Sequence, residues 1–170
     1  MIRSQTVLDS WKSIRNDTVQ AVLDFPADSL DEKPLAELMS FRETALHILD
    51  AGLGLSGVLL DGIDNLSTPE FRPMLKKYSA NLPADASAQT IADALSNALQ
   101  QSLLQLSEKG ADFYAGEITR MDKARVTRLE MLQFVKEHEL THRAQLFLFL
   151  RLKDIVPPTT RRRLAAANKG

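Results

Sequence analysis

The sequence predicts an all-α protein, an antiparallel four-helix bundle, and three observations carry that reading. Prolines stand only at positions 26, 34, 69, 73, 83, 157 and 158, so three long stretches are free of them, and proline is excluded from helix interiors by its missing N–H and its clash with the preceding turn. β-Branched residues are scattered, with no alternating run long enough for a strand. Apolar residues within the proline-free stretches recur at helical spacings of three and four. Helices of this length cannot bury an apolar face alone, which implies a bundle.

The first helix is predicted from about Ser4 to Leu23, with Leu8, Trp11, Ile14, Val19 and Val22 on an irregular inward face and Phe25-Pro26-Ala27-Asp28 ending it. Trp11 reads as a core residue. A second helix is predicted from near Leu35 to Leu60, and the segment from Pro69 to Pro83 as a connection with one short turn around Met74-Leu75. The third follows Ser87 or Thr90, carries Ile91, Leu95, Ala98, Ser102 and Leu106 on one narrow face, and stops before Gly110, a natural C-terminal residue for a helix. The fourth has the clearest start. In Thr127-Arg128-Leu129-Glu130 the Thr and Glu side chains match a capping box, which satisfies free backbone donors at a helix N-terminus. It should run to about Asp154 and end at Val156-Pro157-Pro158. Residues 1–156 are thus read as the bundle and 157–170 as a basic, solvated tail containing Arg161-Arg162-Arg163.

Composition narrows the function. The 21 Lys and Arg nearly balance 22 Asp and Glu, for a net charge of −1, which argues against a nucleic-acid binder, since those carry a strongly basic face. The chain has no cysteine, which removes disulfides, thiolate metal sites and thiol nucleophiles and fits a cytoplasmic protein. Met1-Ile2-Arg3-Ser4-Gln5 is charged and amphipathic, unlike a signal peptide, and no membrane span is expected.

Histidine is the informative residue. There are three: His47, and the pair His138 and His142 within Glu137-His138-Glu139-Leu140-Thr141-His142. Residues four apart share a helix face, so the pair projects side by side on the stripe of Met131, Val135, Leu146 and Phe149, in the middle of an apolar face. Glu139 and Gln145 flank that stripe, placed to hydrogen-bond the ligands or accept a proton. His47 shares a stripe with the mostly small residues Ser40, Ala51, Gly54 and Val58, which leaves space before its ring. Glu43 and Asp50 flank it and could orient the imidazole or add a ligand. Three converging imidazoles with no fourth ligand make an open site of the kind catalytic metals use. Gly52, Gly54 and Gly57 on the same helix point to close packing or pocket space rather than a phosphate cradle. The Phe147-Leu148-Phe149-Leu150 run covers several sides of its helix, to be buried by other helices or by a partner.

His138-Glu139-Leu140-Thr141-His142 also satisfies H-E-x-x-H, the zinc protease pattern with Glu as general base. Such proteases usually take a third ligand from downstream. Here no Glu or His follows His142, and Asp154 is the last acid. The protease reading is set aside.

Ala45-Leu46-His47-Ile48-Leu49-Asp50, His138-Glu139-Leu140-Thr141-His142-Arg143-Ala144-Gln145-Leu146 and the ending Leu150-Arg151-Leu152-Lys153-Asp154-Ile155-Val156-Pro157-Pro158 resemble the DinB-like superfamily, which includes YfiT-type metal-dependent hydrolases and bacterial thiol transferases. The resemblance spans residues 4 to 160; Ala144 stands where the family often has Gly. It implies a DinB-type four-helix bundle, often a homodimer, with His47, His138 and His142 holding zinc, nickel or another divalent metal ion. It also implies transferase or hydrolase chemistry on a small-molecule substrate, with a low-molecular-weight thiol as a candidate cofactor. The competing expectation is a non-catalytic stress-response or interaction bundle whose metal is adventitious or structural, a structural site being closed at its fourth position by Glu43 or Asp50.

Overall fold

A computed structural model describes residues 3–168, and Met1, Ile2, Lys169 and Gly170 lie outside it. The described residues are mostly helical: α1 (Ser4–Asp24), α2 (Phe41–Leu60), α3 (Phe71–Lys76), α4 (Ala88–Ser107), α5 (Ala111–Ala115), α6 (Arg128–Leu152) and α7 (Pro158–Ala167). A hairpin of β1 (Glu117–Thr119) and β2 (Arg125–Thr127) precedes α6.

The starts of the long helices follow their caps. Thr127 accepts a hydrogen bond from the Glu130 N–H at 3.2 Å while the Glu130 carboxylate accepts from the Thr127 N–H at 2.7 Å, the reciprocal pair expected from the sequence. Ser87 caps α4 by accepting from the Thr90 N–H at 3.1 Å. Helix α2 starts at Phe41 rather than near Leu35, because Ser40 and Glu43 form a second capping box at 3.1 and 2.7 Å. Leu35 and Leu38 therefore stay outside the helix, in an exposed segment.

Two expectations are corrected. The chain is not wholly α: β1 and β2 pair antiparallel, with Ile118 opposite Val126. Thr119 also bridges to Asn65 in the connection after α2, and the Thr119 carbonyl accepts from the Leu66 N–H at 2.7 Å. Strands of three residues are too short to show a period-two pattern, and only Ile118 of β1 is buried. Nor is the basic tail simply solvated. Pro158–Ala167 forms α7, with proline at its first turn, where a missing N–H costs nothing. Arg162 donates to the carboxylate of Asp17 at 2.9 Å, and Arg161 pairs with Asp24. Asp17 is buried in α1, and a buried carboxylate requires such partners; Arg143 of α6 is a further one, at 3.3 Å.

Among the long helices, α1 and α2 each pack against both α4 and α6. Two apolar clusters fix their directions. One joins Leu8 and Trp11 of α1 to Val58 of α2, Leu106 of α4 and Leu132 of α6; the other joins Val22, Ile48, Ile91 and Leu146. It follows that α1 runs antiparallel to α4 and α2 antiparallel to α6, while α1 with α6 and α2 with α4 run in the same direction. The wholly antiparallel arrangement expected from the sequence is thus met by two of the four neighbouring pairs. The cause is the connection between α2 and α4, which returns the chain along the length of the molecule.

Glycines let that connection lie close to α2. A Cβ on Gly54 would stand 2.9 Å from Leu75 Cδ2, and one on Gly57 2.4 Å from Tyr78 Cδ1. The space that small residues leave on α2 beyond His47 is therefore filled by side chains. Gly57→Ala should destabilise the protein by about 1–3 kcal/mol through overpacking against a rigid ring, despite a helix preference for Ala of about 1 kcal/mol; urea denaturation would measure it. Among the described residues, only Phe41–Leu60 is long and apolar enough to pass for a membrane span, but half of that stretch is buried within the fold, which accounts for its apolar character.

Candidate metal centre

Antiparallel packing of α2 on α6 brings His47 opposite the pair His138 and His142. The three rings offer nitrogens that all lie within 4.8 Å of one another. Ring centroids are 4.5 Å apart for His47–His142 and His138–His142, and 5.1 Å for His47–His138. The Nε2 atoms of His47 and His138 are 3.3 Å apart. Two nitrogens bound tetrahedrally to zinc at 2.0–2.1 Å would be separated by about 3.3–3.4 Å, so the spacing fits a shared divalent ion.

The electrostatics agree. Burial, with the neighbouring His142 and His47 adding to it, pushes the pKa of His138 down to about 4, and burial with His142 lowers that of His47. Both rings are therefore neutral near pH 7, the form that binds metals. Gln145 Oε1 lies 2.9 Å from His142 Nδ1. An amide oxygen only accepts, so Nδ1 carries the proton and the Nε2 lone pair is left free to coordinate. Gln145 thus bonds a histidine of the group, as its place beside the stripe predicts. Gln145→Ala should weaken metal binding about 10–100-fold, the usual effect of losing a hydrogen bond behind a ligand, which competition with a chromogenic chelator would show.

The other flanking residues do not face the site. Glu139 is the buried one, 3 % exposed, while His138 and His142 are half-buried. The centre of the inward face of α6 is Leu132, Val135, Glu139, Leu146 and Leu150, and the histidines sit at its edge toward α2 rather than in its middle. Glu139 Oε1 accepts from Arg15 Nε at 2.7 Å and Thr18 Oγ1 at 2.9 Å; Oε2 accepts from Arg15 Nη2 at 2.7 Å and Trp11 Nε1 at 2.6 Å. With four donors on its two oxygens, Glu139 faces the core rather than the histidines; the sequence left its part in the site open. Trp11 is core, as expected. Arg15 and Thr18 were legible only as polar residues on the apolar stripe of Leu8, Trp11 and Val22. Gly52 belongs to the same assembly, since a Cβ there would meet Arg15 Nη2 at 3.0 Å.

Glu43 and Asp50 are also engaged elsewhere. Glu43 caps α2 and pairs with Lys33 at 2.8 Å. Asp50 accepts from Ser79 Oγ and the Ala80 N–H, both at 3.0 Å, and so holds the connection onto α2. Among the described residues only the three imidazoles converge into such a group.

The DinB family model matches residues 1–167 of the chain. This chain belongs to the DinB family. Its fold is similar to a DinB-like protein from Bacillus subtilis, at 22 % identity, TM-score 0.68, covering 87 % of this chain and 92 % of that one. A DinB-like protein from Bacillus cereus is similar at 19 % identity, TM-score 0.69, covering 91 % and 95 %. A mycothiol-dependent maleylpyruvate isomerase is similar at 13 % identity, TM-score 0.64, covering 85 % of this chain and 61 % of that one. No curated protein matches the sequence. At these identities the solved structures show that the DinB-family fold is shared.

Proposed function

We propose that this DinB-family protein is a divalent-metal-dependent enzyme in which His47, His138 and His142 hold the ion, zinc or nickel, and that it acts on a small molecule by thiol-transferase or hydrolase chemistry. The observation that carries this reading is the convergence of three imidazole nitrogens within 4.8 Å with Glu43 and Asp50 both bonded elsewhere. A structural site would be expected to close with a fourth ligand. We take the four long helices as the DinB-type four-helix bundle that supports this centre.

A divalent ion there supplies Lewis acidity and an exchangeable position. The chain's own residues do the rest. His47 and His138 present neutral rings, Gln145 fixes the tautomer of His142, and the buried Glu139–Arg15 pair holds α6 against α1 beneath the ligands. The likeness to an isomerase that uses mycothiol favours the thiol branch.

Protein purified without a histidine tag should contain a divalent metal. Loaded with zinc or nickel, it should turn over one class among thiol–electrophile pairs, esters and amides; chelation should abolish that activity and the same metal restore it. Full metal content with no turnover across all three classes would instead assign the protein to the interaction bundles.

A further inference from the structure

A cleft of about 400 Å³ lies between the segment before α2 and the C-terminal half of α6, and none of the three histidines lines it. Its walls include Leu38, Met39 and Leu148, with Phe149 backed by the rings of Phe25 and Phe41 at 6.3 and 5.8 Å. The polarity of this cleft has a direction. Its uncharged polar lining groups are Thr44 and Gln145, which lie one helical turn from His47 and His142. Gln145 connects the cleft to the triad, because the side chain that lines the cleft also bonds His142 Nδ1 at 2.9 Å. Away from that end the lining is apolar, apart from Glu37.

We infer that the cleft holds the apolar part of the substrate, and that the substrate is an amphipathic small molecule: a metal-coordinating head, such as a thiol or carboxylate, on an uncharged hydrocarbon or aromatic body. The inference rests on the metal-dependent reading above. Three things support it. The cleft and the triad share a side chain, the polar groups sit at the triad end, and the walls offer apolar surface with no buried charge to pair a polar body. Leu38 and Leu148 remain 49 % and 60 % exposed, so burying them against an apolar ligand releases ordered water and gains free energy.

The test uses zinc-loaded full-length protein and straight-chain hydroxamates from acetohydroxamate to octanohydroxamate, titrated calorimetrically. The head group reports the metal and the chain reports the cleft. Affinity should rise with length, by about 50-fold or more across the series, given a transfer gain of about 0.8 kcal/mol per buried methylene. Leu148→Glu and, separately, Leu38→Glu should reduce that gain to less than about fivefold while metal content is retained; both positions are exposed enough to accept a charge without unfolding. Acetohydroxamate binding with a flat chain-length series overturns the cleft proposal and leaves the metal centre standing. A flat series in a protein that sediments as a dimer gives the cleft to a second copy, and also overturns it. No hydroxamate binding and no zinc uptake overturns both readings.

Discussion

Glu139→Ala is expected to destabilise the protein by about 3–5 kcal/mol, the range for removing one partner of a buried ion pair. The loss does not arise from the Coulomb attraction alone. Arg15, itself 2 % exposed, would keep its charge inside the fold with only the Leu95 carbonyl, at 2.8 Å, as a named acceptor. The Trp11 indole N–H, fully buried in the core, would lose its acceptor as well. Each buried donor left unpaired costs about 1–3 kcal/mol. Glu139→Gln should also destabilise, since an amide offers one acceptor oxygen and turns a donor toward Arg15 or Trp11. Urea denaturation measures the effect, and metal content per folded protein should be unchanged in the Gln variant. An unaltered denaturation midpoint with lost metal would show that Glu139 serves the centre directly.

The second large effect is opposite in kind. His47→Ala, His138→Ala and His142→Ala should each lower metal affinity on the order of 100-fold or more, beyond the range for losing a mere supporting hydrogen bond, while the fold is retained. These rings are half-buried at the edge of the core, so their removal leaves no buried charge behind. Metal analysis after gel filtration, with circular dichroism, separates the two consequences. Unchanged metal content would sink the triad.

For metal-stripped protein a pH dependence follows. His138 titrates at about 4 in the folded chain against an ordinary 6.5, so the unfolded chain takes up the proton first. Its contribution to stability is complete above pH 6.5, declines as the pH falls below that value, and is fully lost below about pH 4. His138→Ala should remove this part of the slope, which thermal melts at several pH values would show.

The residues of the three-histidine cluster were readable because their signal is local. His138 and His142 are four apart on one helix, and His47 stands on another helix long enough to face them. The cap of Thr127 with Glu130 was readable for the same reason, since it acts over three residues; between Ser87 and Thr90 the start of α4 stayed open until the structure showed Ser87 capping Thr90. Where a local signal was passed over, as in Ser40 with Glu43, the helix boundary was misplaced. The hairpin gave no signal, because its strands are three residues each and the end of β1, Thr119, is anchored to distant backbone at Asp64 and Leu66.

Glu139 marks the limit most clearly. Beside two histidines, its position along the chain makes it a candidate base, and its angle of about 60° off the stripe leaves that role unassigned; the structure shows what it binds instead. A rotation of about 100° per residue carries it from the metal side to the core, where Arg15 and Trp11 lie more than 120 residues away in sequence. Likewise, Arg161 and Arg162 read as solvated charge until Asp17 and Asp24 are seen facing them. By itself, then, the sequence determined the helical class, the caps and the three candidate ligands, all set by spacings within a few residues. The tertiary structure alone decided which polar residues are buried, which carboxylates are already engaged, and that a cleft opens along α6 next to Gln145, because burial depends on what other elements of the chain lie opposite.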